Sequence, residues 1–151
     1  MIKYFCMLVI ALCFSNACDT VEEKNNDENV VLKSGTSFGF CGGYCRNEMQ
    51  LKDQEVLYEK SSRDTVNYPV QTVRGMISRA EWNSLLDVVD ISVLSKLNDI
   101  YGCPDCADGG AEWIEVYYHN FHKKVTFEYG DTVKPVESLI LHLRALRKRF
   151  E

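Results

Sequence analysis

An unbroken apolar run of 11 residues, Tyr4 to Phe14, follows Met1-Ile2-Lys3 and precedes Ser15-Asn16-Ala17-Cys18. A positive start, a short apolar stretch and small residues before a cut form the pattern of a secretory signal peptide. A membrane-spanning helix needs about 20 apolar residues, so this run is too short to remain as one. No second apolar segment of its length follows. The expectation is that residues 1–17 leave on export and that the mature chain starts at Cys18. This bounds what is left to fold. After an acidic stretch there remains a body of roughly 115 residues, the size of one ordinary domain with its own core. Export also sets the redox setting, because thiols outside the cytosol meet an oxidising compartment.

The residues at the cut resemble a bacterial lipobox, in which a small residue precedes a cysteine that is lipidated at its sulfur. Ala17 and Cys18 fit; Ser15 stands where an aliphatic residue is usual, and Asn16 is larger than usual. An ordinary signal peptidase would cut the same bond and leave Cys18 a free thiol. Lipid at Cys18, an acyl chain of the palmitate kind, is the preferred expectation, since an exposed thiol at an exported terminus is reactive. Together with the acidic stretch that follows, the segment resembles the start of lipoproteins of Bacteroidetes-type bacteria. The expected location is the cell envelope, anchored to a membrane by lipid on a periplasmic or surface face.

Residues 18–34 read as a tether. Asp19 to Ser34 carries Asp19, Glu22, Glu23, Asp27 and Glu28 and no aromatic residue, which suits a solvated spacer. The whole chain has a net charge of −5, and loss of Lys3 with the leader makes the mature chain more acidic still. Such a chain is repelled by phosphate backbones, which argues against a nucleic-acid partner. The one basic cluster, Arg144, Arg147, Lys148 and Arg149, falls in the last turns of an expected helix and complements the negative end of its dipole.

Residues 35–151 form the expected single domain. From Cys45 the sequence alternates, with Cys45, Asn47, Met49 and Leu51 on one face, so a strand is predicted to Leu51. Glu55–Lys60 and Tyr68–Arg74 read as short strands, with Pro69 holding the second to an edge or a strand start. Ser78-Arg79-Ala80-Glu81 is a capping box, and Trp82, Leu85, Leu86 and Val89 continue it as an amphipathic helix from 78 to 89. A second short helix is predicted over 92–100. Glu112–His119 and Lys124–Tyr129 alternate most clearly, with residues 120–123 as their hairpin turn. Pro135 suits the first turn of a last helix, striped by Leu139, Leu143, Leu146 and Phe150. Strands, helices, hairpin and helix in this order predict an α+β two-layer sandwich: a mostly antiparallel sheet with helices packed on one face.

Four cysteines stay with the domain, as Cys41-x3-Cys45 and Cys103-x2-Cys106. Structural disulfides fit an oxidising compartment and an even number, with three pairings open. Cys41 and Cys45 would lie about 13 Å apart along an extended strand, too far to bond, unless Gly42-Gly43 folds the chain back. A bridge between the two pairs would close about 60 residues and contribute roughly 4 kcal/mol in the chain-entropy picture. A tetrahedral thiolate site, with zinc as its metal, is the second possibility for cysteines so spaced. Thiol-disulfide exchange by Cys103-Pro104-Asp105-Cys106 is the third, but it calls for a helix behind the motif to lower a thiol pKa, and the sequence there runs into a strand. Asp105, Asp108 and Glu112 lack the spacing of a calcium loop. His119, His122 and His142 read as exposed polar residues. No nucleophile elbow, phosphate loop, dinucleotide fingerprint or zinc-protease motif is present.

Phe38-Gly39-Phe40-Cys41-Gly42-Gly43-Tyr44 resembles the F-G-x-C-P-x-Y opening of an uncharacterised bacterial domain family, the DUF6438 type. Gly42 stands where that family has proline, and Ser37 where a preceding cysteine is common. The resemblance implies strands, a helical segment, a hairpin and a terminal helix from about Thr36 to Phe150, and the family has no established activity to carry over. The expected function is that of an envelope-tethered lipoprotein, a non-enzymatic module for a protein or small ligand, stabilised by disulfides and without a cofactor. The alternative is a thiol-redox or zinc-binding envelope protein using the Cys41/Cys45 and Cys103/Cys106 pairs.

Overall fold

The computed structural model describes residues 30–151. The leader, its cleavage bond, Cys18 and most of the acidic tether lie outside the described residues. Six strands form one antiparallel sheet: β1 (Val30–Ser37), β2 (Arg46–Lys52), β3 (Glu55–Ser61), β4 (Gln71–Met76), β5 (Ala111–Tyr118) and β6 (Phe121–Glu128). Their order across the sheet is β4-β3-β2-β1-β5-β6. With them are three helices, α1 (Arg79–Leu86), α2 (Ile91–Leu94) and α3 (Glu137–Phe150). The fold is mixed α+β.

The domain starts earlier than composition suggests. Val30–Ser34, read as the end of the tether, are the opening of β1, which lies between β2 and β5. The acidic neighbours mask a β-branched, apolar run, Val30-Val31-Leu32. Pairing on both sides satisfies backbone groups that a tether would leave to water. Val30, Leu32 and Ser34 alternate inward and are buried.

Other boundaries shift for local reasons. The β5–β6 turn has only two residues, His119 and Asn120, with His119 at φ +51°. A left-handed residue there matches the twist of the paired strands, so 121–123 belong to β6 and not to the turn. The helix expected over 92–100 stops at Leu94. Beyond it, Ile100 bridges Thr126, and the Thr126 amide donates to the Asp99 carbonyl at 2.8 Å. The outer edge of β6 thus takes the backbone bonds that a longer helix would have kept for itself. β4 begins at Gln71, three residues later than read, after an irregular stretch in which the Tyr44 hydroxyl donates to the Pro69 carbonyl at 2.9 Å.

Sheet and helices share one core. Leu32, Met49, Leu51, Tyr58, Ile114, Val116 and Phe127 from the strands meet Trp82, Leu85, Leu94, Leu139, Ile140 and Leu143 from the helices. Ser78 caps α1 as read: its Oγ accepts from the Glu81 amide, and the Glu81 carboxylate accepts from the Ser78 amide. Strand residues of the other parity are mixed: Lys33, Glu48, Glu59, Glu115 and Lys124 carry charge among neutral neighbours such as Gln50, Leu57 and Thr126, and one large side chain among them is buried. Trp113 is 2% exposed, covered by Arg46 and Lys124 at 4.3 and 4.8 Å from its ring. It lies over Gly35, its partner in β1. A Cβ at Gly35 would stand 2.2 Å from the Trp113 ring, so only glycine leaves room for the indole.

Candidate functional site

Both cysteine pairs close as local disulfides, Cys41–Cys45 with Cα atoms 5.7 Å apart and Cys103–Cys106 with Cα atoms 5.4 Å apart. The chain between Cys41 and Cys45 turns back through Gly43 at φ +87°, which removes the separation an extended strand would impose. No bridge joins one pair to the other. Cys45 is buried, while Cys41, Cys103 and Cys106 are exposed. Behind Cys103–Cys106 stands a single 3-10 turn, Cys106–Asp108, in which Ala107 has φ +50°. No α-helix starts there to draw down a thiol pKa.

The two bridged loops meet at one end of the sheet. The Gly39 amide donates to Asp105 Oδ1 at 2.9 Å, and the Cys103 amide donates to Glu128 Oε1 at 2.7 Å. The Phe38 ring lies so close over Gly110 that a Cβ there would approach it to 2.3 Å. Its other neighbour is Tyr129, edge-on at 4.9 Å. The loops therefore fix the positions of Phe38 and Tyr129, which form one wall of a cavity of about 290 Å³. The remaining walls come from Thr36 and Asn47 on the sheet and from Arg144, Arg147 and Lys148 on α3.

At the base of this cavity lies a buried ion cluster. Glu112, 1% exposed, accepts from Arg144 Nε at 3.0 Å and Nη2 at 2.8 Å, and from Arg147 Nη2 at 2.8 Å. The Arg147 Nη1 also donates to the Ser34 hydroxyl, and Arg144 Nη2 reaches the Asp131 carbonyl at 2.6 Å. Burial alone would push the Glu112 carboxyl up. The bonds and charges of Arg144 and Arg147 outweigh it and hold the group below the ordinary carboxylate range. Helix, central strand and hairpin are thus tied through one carboxylate. Arg144 and Arg147, read as dipole partners at a helix end, face inward instead.

This cluster was not foreseen, although each half carries a sign in the sequence. Arg147 stands four residues after Leu143 on the apolar stripe of α3, and Glu112 shares parity with Ile114 and Val116. A charge on an inward face needs a partner. The other titratable groups singled out in the sequence do not converge. Asp105 serves the Gly39 amide, His142 Nδ1 pairs with the Ser138 carbonyl, and His122 pairs with Glu115 on the sheet face opposite the core. Among the described residues no three His, Cys, Asp or Glu side chains are grouped to hold a metal ion. No protein-family model matches the chain, and no curated protein matches it.

Proposed function

We propose that the mature protein is a non-enzymatic binding module of a cell envelope, held at its membrane by lipid on Cys18, with small anions as the ligands of the cavity above Glu112. The observation that carries this reading is the cavity's charge. Three basic side chains, Arg144, Arg147 and Lys148, meet two acidic ones, Glu112 and Glu151, along its walls, in a chain that is acidic as a whole. In partly desolvated surroundings an excess of positive charge acts more strongly than it does in water. Phe38 and Tyr129 add an apolar wall for the rest of a ligand. Both carboxylate oxygens of Glu112 are engaged by arginine, so it offers no free base for catalysis.

The envelope location rests on the leader, on Cys18 and on the oxidised pairs. The family reading, the DUF6438 type, rests on the opening from Phe38 to Tyr44. The architecture we infer is a two-layer sandwich with α1, α2 and α3 on one face of the sheet. It is supported by strand parity, since the buried strand residues that meet the helices share one side.

The test uses purified mature protein, thermal unfolding and a set of small carboxylates with their neutral amides. Carboxylates should raise the melting temperature saturably, the amides should not, and Lys148→Gln should weaken the effect. No shift with any carboxylate would remove the cavity as an anion site. A thiol count with metal analysis addresses the alternative. Absence of free domain thiols and of metal is expected; one readily reduced pair or bound zinc would replace this reading with thiol-redox or zinc-binding work. The intact mass of protein from its native membrane should carry acyl chains on Cys18.

A further inference from the structure

The two edges of the sheet differ. At the β6 edge, Thr126 is engaged on its outer side by Asp99 and Tyr101 through backbone hydrogen bonds. At the β4 edge no strand pairs among the described residues. Proteins blunt such edges with lysine, proline or a bulge. Residues 71–76 hold neither lysine nor proline, and their register with β3 is unbroken. The exposed apolar side chains Val66, Tyr68, Val70, Val73 and Met76 gather on this strand and the segment leading into it.

The hydrogen-bonding phase of β4 follows from its neighbours. The two-residue turn at 53–54 makes Lys52 and Glu55 a bonded pair. Val56, Tyr58 and Lys60 therefore bond to β4, and they stand opposite Gly75, Val73 and Gln71. The amides and carbonyls of Thr72 and Arg74 point outward, unused. We propose that this edge pairs with the same edge of a second copy of the chain, antiparallel and centred on Val73, to give one continuous twelve-stranded sheet.

Charge selects both the occupant and the register. Arg74 is the only charged residue of β4. Centring on Arg74 would set it against its own copy, whereas centring on Val73 sets Arg74 against Thr72 of the other copy. Val73 then meets Val73, and Met76 meets Val70. Thr72 is paired with Glu59 in β3, so each Arg74 comes to lie two strands, about 10 Å, from the other copy's Glu59. Those two side chains together span that distance. Neither Arg74 nor Glu59 forms an ion pair within the described residues. The contact thus gives two unpaired charges a partner twice over, by symmetry.

Cysteine cross-linking of the full mature chain under mild oxidation tests the register. The chain is produced without its lipid, so Cys18 is a thiol common to all variants and sets the background. Val73→Cys should form covalent dimer about tenfold faster than Thr72→Cys or Arg74→Cys alone, because only Cα atoms within about 7 Å can bridge. A mixture of Thr72→Cys and Arg74→Cys chains should cross-link although neither does so alone, which provides a second probe should one variant fold poorly. Glu59→Arg should slow Val73→Cys dimer formation, and adding Arg74→Glu should restore it. Equal rates at all three positions, no dimer from either probe, or linkage of Val73→Cys to a different protein would each overturn the proposal.

Discussion

Replacing Glu112 by glutamine removes one charge and keeps nearly the same shape, so its effect isolates the buried ion cluster. The carboxylate is 1% exposed and receives three hydrogen bonds from Arg144 and Arg147 at 2.8–3.0 Å. Glutamine offers a single oxygen and turns an N–H group towards a guanidinium. Removing one partner of a buried pair costs about 3–5 kcal/mol, chiefly because the remaining charge is left uncompensated. Arg144 is 18% exposed and keeps the Asp131 carbonyl, so the lower end, about 3 kcal/mol, is expected. For a domain of this size each kcal/mol moves the melting temperature by about 3–5 °C, giving a drop of about 10–15 °C. Far-UV circular dichroism melts at neutral pH read it directly. The sign with pH is also fixed. Glu112 has its folded pKa below its unfolded value, so its contribution is full above about pH 4.3 and is lost as pH falls through the folded pKa. The stability gap between the parent and Glu112→Gln should therefore narrow below about pH 4.3. A loss under about 1 kcal/mol, or a gap unchanged in acid, would refute the view that this carboxylate clamps α3 to the sheet.

Three further outcomes follow from the same structure. Gly35→Ala places a methyl group 2.2 Å from the Trp113 ring and 2.4 Å from the Asn47 carbonyl; urea unfolding should show a loss of about 1–3 kcal/mol. Ser78→Ala removes the hydroxyl half of the capping box and should cost about 1 kcal/mol by the same assay, with the sheet unaffected. Reduction of both disulfides should cost about 2 kcal/mol per bridge, because each closes a loop of only a few residues. The reduced protein should still unfold in one cooperative step; collapse of its β signal on reduction would show that the bridges carry the fold.

Much of the fold was legible because local chemistry and tertiary need agree over β2, β3, β5, α1 and α3. Alternation gives the inward set Met49 and Leu51, and Ser78 with Glu81 announces a helix start whatever lies around it. The errors fall where backbone partners far along the chain decide. β1 is called a tether by its acidic neighbours and a central strand by β2 and β5. Residues 95–100 read as helix until the edge of β6 claims Asp99 and Tyr101.

The candidate site was legible only in halves. Cysteine spacing marked both bridged loops but not their meeting point, since Asp105 and Gly39 lie 66 residues apart. Glu112 and Arg147 looked separately like single breaks in otherwise apolar patterns. Two such breaks on inward faces, opposite in sign and on elements that pack together, have one economical resolution, which is each other. The same logic assigns the disulfides their place. The buried cluster around Leu32, Ile114 and Leu143 contains none of the four domain cysteines, and the bridges sit outside it at the sheet end. What they hold is the geometry of the Phe38–Tyr129 wall. Opening the Cys103–Cys106 bridge should therefore disturb the cavity before it disturbs the core.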